Sequence, residues 1–293
     1  CSTIYRLLTQ TYNYPQNHII VLMSDGIDVG IDRKTSDNTY DSSPLDLDGD
    51  GDADIKYSAT KDNIKSVFFL LSILLQQGDN LFIYTTDHGQ LTESNHSVLH
   101  VWGNVSMYDN EFAYCVNSIS SECYINIVMQ QCYSGGFIDD LSRHNRIITT
   151  ASKSDEMSHS TTEYSGCDDF TYLWSKAFKE PEKYGDLNED GFVSMDEAFK
   201  YVTLYDKTGE TPQYYSNKTT LGENFTLLGK ELCVSTDYFE NLNVTTNTIF
   251  TGCNVVVRNV TINNNANGEF ISNGGTEIHG PFEIQLGSSC LIR

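Results

Sequence analysis

The chain is poor in positive charge. It has 18 lysines and arginines against 40 aspartates and glutamates, a formal net charge of −22. Phosphate backbones are met by lysine and arginine, so nucleic acid is excluded as a partner. Long apolar runs are also lacking: nothing approaches the roughly 18 residues that suggest a spanning helix, and no transmembrane segment is expected. Cysteine is sparse for the length. Eight in 293 residues are too few for a disulfide scaffold, and their connectivity stays open. No signal peptide opens the chain. It begins at Cys1 inside a helical pattern (Ile4, Leu7, Leu8), which predicts a preceding N-terminal segment. What is present suffices for a core: 39% of residues are hydrophobic, in a length that suits one large domain and a small one.

The stretch from Ile125 to Gly136 organises the rest. An apolar, β-branched run reads as a buried strand, stops at Cys132 and passes into Ser134-Gly135-Gly136. Leu81 to Gly89 has the same design and ends in Asp87-His88-Gly89. Ligands of open parallel α/β sheets sit beyond the carboxyl ends of the strands. Two such strands put an imidazole and a thiol on one rim, the pairing that nucleophilic cysteine chemistry needs. The bland readings are a buried structural thiol and a satisfied histidine. Gly89 permits close backbone approach, and its N–H with that of Cys132 would form an oxyanion hole.

Around these lie a helix over residues 2–12, a strand over His18 to Met23 and a polar loop over 28–57. Thr60 caps a long helix with Ile64, Val67, Phe68, Leu71, Leu74 and Leu75 on its apolar side. Helices follow at Asp109 to Ile119, Phe170 to Phe178 and Met195 to Leu204, with a further strand over Arg146 to Ala151. Strands alternating with helices imply an α/β fold with a parallel, doubly wound sheet. After about Leu232 Asn, Thr, Gly and Val dominate, and short strands recur between Asn/Gly turns. The expected organisation is a domain over residues 1–229 and a small all-β stack over 230–293.

Ile19-Ile-Val-Leu-Met-Ser-Asp-Gly, Phe82-Ile-Tyr-Thr-Thr-Asp-His-Gly89 and Cys132-Tyr-Ser-Gly resemble the legumain-type cysteine peptidases, of the caspase-like group that includes gingipain and clostripain. The resemblance covers roughly residues 1–205. It implies a caspase-like fold, protein or peptide substrates, and endopeptidase activity with Cys132 as nucleophile, His88 as acid and base and Gly89 in the oxyanion hole. The family's pocket for asparagine uses a glutamate where Gln130 stands, and an acidic residue where this chain has Trp174 and Ser175. The pocket is therefore assigned to Gln130, Ser152, Asp155, Glu156, Asp168 and Asp169, whose acids would favour a basic P1 side chain. The plain alternative for each acid is a solvated loop.

Asp186, Asn188, Asp190, Gly191 and Glu197 fit an EF-hand calcium loop, with Phe192 offering its carbonyl. Asp46, Asp48, Asp50, Asp52 and Asp54 match the first half of such a loop, but Tyr57 stands at its last position. Five alternating aspartates repel one another without a cation, so structural calcium is expected at both.

These readings combine into an extracytoplasmic, secreted or cell-surface, calcium-stabilised cysteine endopeptidase. The rival is a non-catalytic surface or adhesion protein on a degenerate caspase-like fold. The resemblance further implies a strand preceding Cys1, inside the sheet between the strands at 18–23 and 80–86. That strand is expected as a fragment of the same precursor, held non-covalently after self-cleavage.

Overall fold

The computed structural model describes residues 1–35, 38–160, 167–189, 191–217, 219–227, 229 and 236–292. The chain divides into two compact units. The first is Cys1–Glu223 with Leu227–Gly229, and the second Asn224–Thr226 with Lys230–Arg293.

The first unit is mixed α/β. In chain order it contains α1 (Ser2–Arg6), β1 (Val21–Leu22), β2 (Ile55–Tyr57), α2 (Lys61–Leu74) and β3 (Asn80–Thr85). A three-stranded antiparallel layer follows, β4 (Gly89–Leu91), β5 (Ser97–Val101) and β6 (Val105–Tyr108). Then come α3 (Asp109–Val116), β7 (Tyr124–Met129), α4 (Ile138–Leu141), β8 (Arg146–Thr150), α5 (Asp169–Lys179), α6 (Met195–Tyr205) and β9 (Gln213–Ser216). The central sheet has the order β9-β8-β7-β3, parallel except for β9.

Alternation along the strands sets its two faces. Leu81 and Ile83 of β3 join Ile125, Ile127 and Met129 of β7 in a core closed by Phe68 of α2 and Phe112 of α3. From the other face Phe82 stacks on Trp174 of α5 at 5.7 Å, and Tyr84 hydrogen-bonds Thr171 at 2.8 Å. Arg146, buried between helix ends, donates to the carbonyls of Leu141 (2.7 Å) and Val116 (3.2 Å), which end α4 and α3. Those carbonyls lack intrahelical donors.

Two expectations are corrected. The run from His18 to Met23 supplies only a two-residue strand, which pairs in parallel with β2 in a separate sheet. Its apolar residues pack with Tyr5, Leu47 and Ile55 instead. In α2, Leu74 faces solvent at 59% exposure, and Phe69 and Ile73 are exposed as well, because Ile64, Phe68, Leu71 and Leu75 already supply the stripe that packs on the core.

The second unit is a coil of parallel strands: β10 (Thr236–Glu240), β11 (Asn243–Val244), β12 (Thr248–Ile262), β13 (Asn267–Ile284) and β14 (Ser289–Ile292). Short strands between Asn/Gly turns are expected from the sequence, yet two long strands run through Asn259 and Gly280. These residues take φ of 51° and 75°, bending the strand as corners while the ladder continues on either side. Phe250 lies in register with Phe270 and stacks on it at 4.8 Å.

Candidate active site

The parallel strands end level. Thr85 of β3 and Thr150 of β8 both pair with Met129 of β7. The register persists one step further, where Gln130 N–H donates to the Thr85 carbonyl and Ala151 N–H to that of Met129, both at 2.9 Å. His88 and Cys132 thus each lie three positions beyond paired strand ends. A side chain at 89 would collide with the Cys132 carbonyl, so only glycine lets these two backbones meet. His88 is fixed on both sides of its peptide. Its N–H donates to Asp87 Oδ1 at 2.6 Å, and its carbonyl accepts from His100 N–H at 3.0 Å.

Tyr133, directly after the cysteine, has φ +59°. A bulky side chain in the left-handed region is strained, and such residues gather at functional turns. Its N–H donates to the Glu156 carbonyl at 2.8 Å, and Gly135 N–H to that of Ser152 at 2.9 Å. The cysteine turn is therefore stitched to the segment that leaves β8. The half-buried Cys132 thiol lies 3.6 Å from the Ser158 carbonyl oxygen and 3.9 Å from its Oγ. Among the described residues no hydrogen bond joins it to the exposed His88 ring.

The residues assigned to a pocket from sequence are placed as follows. Gln130, 2% exposed, accepts from Thr171 N–H (3.1 Å) and Oγ1 (2.5 Å) at the start of α5. Ser152 is fully buried, its hydroxyl 3.3 Å from that of Ser134. Glu156 accepts from Lys153 N–H (3.3 Å) and from Thr211 N–H (2.8 Å) and Oγ1 (3.1 Å), and these bonds together outweigh its burial and hold its carboxyl below the usual range. Asp155 is exposed. Asp169 is buried in the first turn of α5, and Asp168 precedes it at the cap position. Burial raises the Asp168 carboxyl above its ordinary range, with Asp169 adding to the effect and His88 among the groups opposing it.

Sequence reading missed two participants, Ser158 and Glu210. Glu210 is 8% exposed, and its Oε2 accepts from His159 N–H at 2.6 Å. Antiparallel β9 brings it there, since Gln213 at the start of β9 sits opposite Thr150. A lone strand of opposite sense returns its N-terminal flank to the carboxyl rim, and no local pattern announces that.

The two acidic loops differ in what their carboxylates already bind. Glu197, 4% exposed in the first turn of α6, accepts from Leu187 and Asn188 N–H (3.0 and 3.1 Å) and from Ser194 N–H and Oγ (both 2.9 Å). Gly191 has φ +90°, and its N–H donates to Asp186 Oδ2 at 2.7 Å. Phe192 is 48% exposed, and Asp190 lies outside the described residues. In the other loop, Asp46, Asp48 and Asp50 bring oxygens within 4.8 Å of one another. Asp52 is exposed. Asp54 is buried and turned inward, accepting from Tyr5 OH (2.5 Å) and Leu47 N–H (2.7 Å).

A model of the peptidase C13 family matches residues 1–222. No curated protein matches the chain. Among solved structures, protein GSU0716 from Geobacter sulfurreducens is similar over 54% of this chain and 73% of its own, at 11% identity and a TM-score of 0.43.

Proposed function

The chain belongs to the peptidase C13 family, the legumain family, and from that premise we propose that it is a cysteine endopeptidase with Cys132 and His88 as its dyad. One observation carries the assignment: the collision that any side chain at 89 would make with the Cys132 backbone, which brings the His-Gly and Cys turns together at one rim. His88 takes the thiol proton and Cys132 Sγ attacks the scissile carbonyl. The tetrahedral oxyanion is met by the N–H groups of Gly89 and Cys132. His88 then protonates the leaving amine, and water activated by the same imidazole hydrolyses the thioester. The test is labelling by a thiol-directed peptide electrophile, with hydrolysis of a mixed peptide library. Undiminished labelling and hydrolysis in Cys132→Ala would remove the assignment.

Finer statements belong to the same proposal. The doubly wound, caspase-like arrangement is supported by helices on both faces of β3 and β7. Calcium fits the 186–197 loop by donor chemistry: Asp186, Asn188, Asp190, Glu197 and the Phe192 carbonyl would hold it, with Gly191 making the turn its φ allows. Bound there, it would brace the start of α6. The converging oxygens of Asp46, Asp48 and Asp50 support a second, weaker site, with Asp52 beside them. Asp54 lies outside that convergence, buried against Tyr5 and Leu47, and is left out. Self-processing, with an N-terminal fragment retained as an added strand, is supported by β3, whose outer edge has no strand partner among the described residues. Basic P1 selectivity rests on Asp155 and Asp168, since Glu156 is committed to Thr211. Secretion is the setting that suits calcium and a peptidase, and no helix of the described residues is long and apolar enough to cross a membrane.

The rival reading, a non-catalytic surface protein on this fold, is favoured by the contact of the Cys132 thiol with Ser158. The same labelling experiment separates the two, because an inert thiol takes no electrophile.

A further inference from the structure

We infer that the segment from Ser152 to Ser158 is a resting cap over Cys132, and that Glu210, with Glu156, is the positioning residue that holds it down. The inference deepens the assignment of Cys132 as the reactive cysteine and rests on it.

A single peptide group carries the effect. The carbonyl of the Ser158–His159 peptide accepts from Cys132 Sγ at 3.6 Å, and its N–H donates to Glu210 Oε2 at 2.6 Å. In a planar trans peptide the two groups point in opposite directions. Glu210 therefore sits behind the peptide and the thiol in front of it, within roughly 9 Å of each other. If His159 leaves Glu210, the Ser158 carbonyl leaves the sulfur. A carbonyl can accept from a thiol but has nothing to donate to a thiolate, so the resting contact must break before Cys132 reacts. That accounts for a thiol engaged by Ser158 rather than by His88.

The hold is reciprocal. Glu156, on the cap, accepts from Thr211 on the segment leading into β9. Glu210, on that segment, accepts from His159 on the cap. Glu210 is more than nine-tenths buried, and among the described residues its second oxygen and Asp206 Oδ2 receive no donor from any third group. Asp206 Oδ1 is taken by Thr208 N–H (2.8 Å) and Oγ1 (2.7 Å). Burial pushes Glu210 up to about 9, with a shared hydrogen bond to Asp206 and the charges of Asp206 and Asp168 reinforcing the shift against the His159 bond. At neutral pH the Glu210 carboxylic acid thus donates its proton to Asp206 and accepts from His159. A glutamine can do both, through its amide N–H and its carbonyl; an alanine can do neither.

The experiment measures iodoacetamide alkylation at pH 7, site by site, by mass spectrometry of the full chain. Glu210→Ala should raise the rate at Cys132 about tenfold, the weight of one lost hydrogen bond. The exposed Cys1 should react at its wild-type rate, which general loosening of the fold would not predict. Glu210→Gln should restore the slow rate. Glu156→Ala should act in the same direction by a few-fold, and it decides the matter if Glu210→Ala does not fold. Wild-type rates at Cys132 in the folded alanine variants, or a Glu210→Gln variant as fast as Glu210→Ala, would overturn the cap. Because alkylation is read at Cys132 whether or not peptides are hydrolysed, failure here is distinct from failure of the peptidase assignment. The latter falls if Cys132→Ala still cleaves, or if wild-type Cys132 takes no peptide electrophile.

Discussion

In the first unit the parallel strands are short, Asn80–Thr85 and Tyr124–Met129, and His88 and Cys132 lie just beyond their ends. In the second, strands run unbroken from Thr248 to Ile262 and from Asn267 to Ile284. There, side chains meet their own kind in the neighbouring strand. Phe250 stacks on Phe270, Asn263 donates to Asn243 at 2.6 Å and Asn259 to Asn241 at 3.1 Å. The difference lies in what happens at the end of a strand. In the coil, side chains meet mainly their partners in register, like residues such as Phe250 and Phe270 and opposite charges such as Glu240 and Arg258. A sheet of short strands releases several loops at one edge, and the antiparallel β9 adds another from the opposite sense. The loops that carry His88, Cys132 and Glu210 then come to the same edge.

The comparison is broken most severely by changing the rim. Cys132→Ala and His88→Ala should each remove at least about a thousandfold of peptide hydrolysis, as losses of nucleophile and base do. Thermal unfolding should barely change, since His88 is exposed and Cys132 half-buried. Steady-state rates and melting curves on the same samples check this. A large fall in melting temperature with hydrolysis retained would assign both residues to structure.

The converse change belongs to the coil. Phe270, fully buried against Phe250, Phe239 and Phe282, should cost about 3–5 kcal/mol when cut to alanine. Cys132 labelling should be unaffected. Both tryptophans, Trp102 and Trp174, lie in the first unit. The expected outcome is therefore a shifted circular-dichroism transition and an unmoved tryptophan-fluorescence transition in urea. Coincident shifts would show that the two units melt as one.

The placement of His88 and Cys132 after strand ends was legible because each half carries a local signature: an apolar β-branched run, a histidine or cysteine, then a glycine-bearing turn. The environment of the pocket residues was not. Glu156 and Ser152 read as pocket side chains, but their partners, Thr211 and Ser134, depend on how β8, β9 and the cysteine turn assemble. The run from His18 to Met23 had the composition of a central strand, yet composition does not name a partner. Its partner is the three-residue Ile55–Tyr57. Ser158 and Glu210 left no periodic trace, for each acts through one hydrogen bond made by a loop.

A smaller effect sharpens the contrast within the first unit, between a loop tied to a helix and one that is not. If calcium occupies the 186–197 loop at a hundred times its dissociation constant, chelation should remove about 2.7 kcal/mol. Asp186→Asn should abolish most of the chelator-induced shift. Asp48→Asn should abolish little, because the 46–54 loop lacks an equivalent of Glu197 and its Asp54 is committed to Tyr5. Calorimetry with chelator and with excess calcium measures both. Equal melts in the two conditions would remove calcium from the account.

The smallest effect concerns Glu210 and its pH dependence. Its carboxyl is raised from 4.5 to about 9 in the fold, first by burial and then by Asp206 and Asp168. Between those values the folded chain keeps a proton that the unfolded chain has lost. The folded state therefore binds more protons, and this group makes stability fall as pH rises. The effect is absent below about 4.5 and fully developed once pH passes about 9. The slope in between is at most about 1.4 kcal/mol per pH unit. Glu210→Gln has no proton to lose there, so its stability relative to wild type should grow by roughly 1 kcal/mol from pH 6 to pH 7. Urea unfolding at the two pH values, followed by tryptophan fluorescence, measures the difference. A wild-type minus variant gap that is the same at both would mean that Glu210 is ionised in the fold, and would replace the proton shared with Asp206 by a charged clamp on His159.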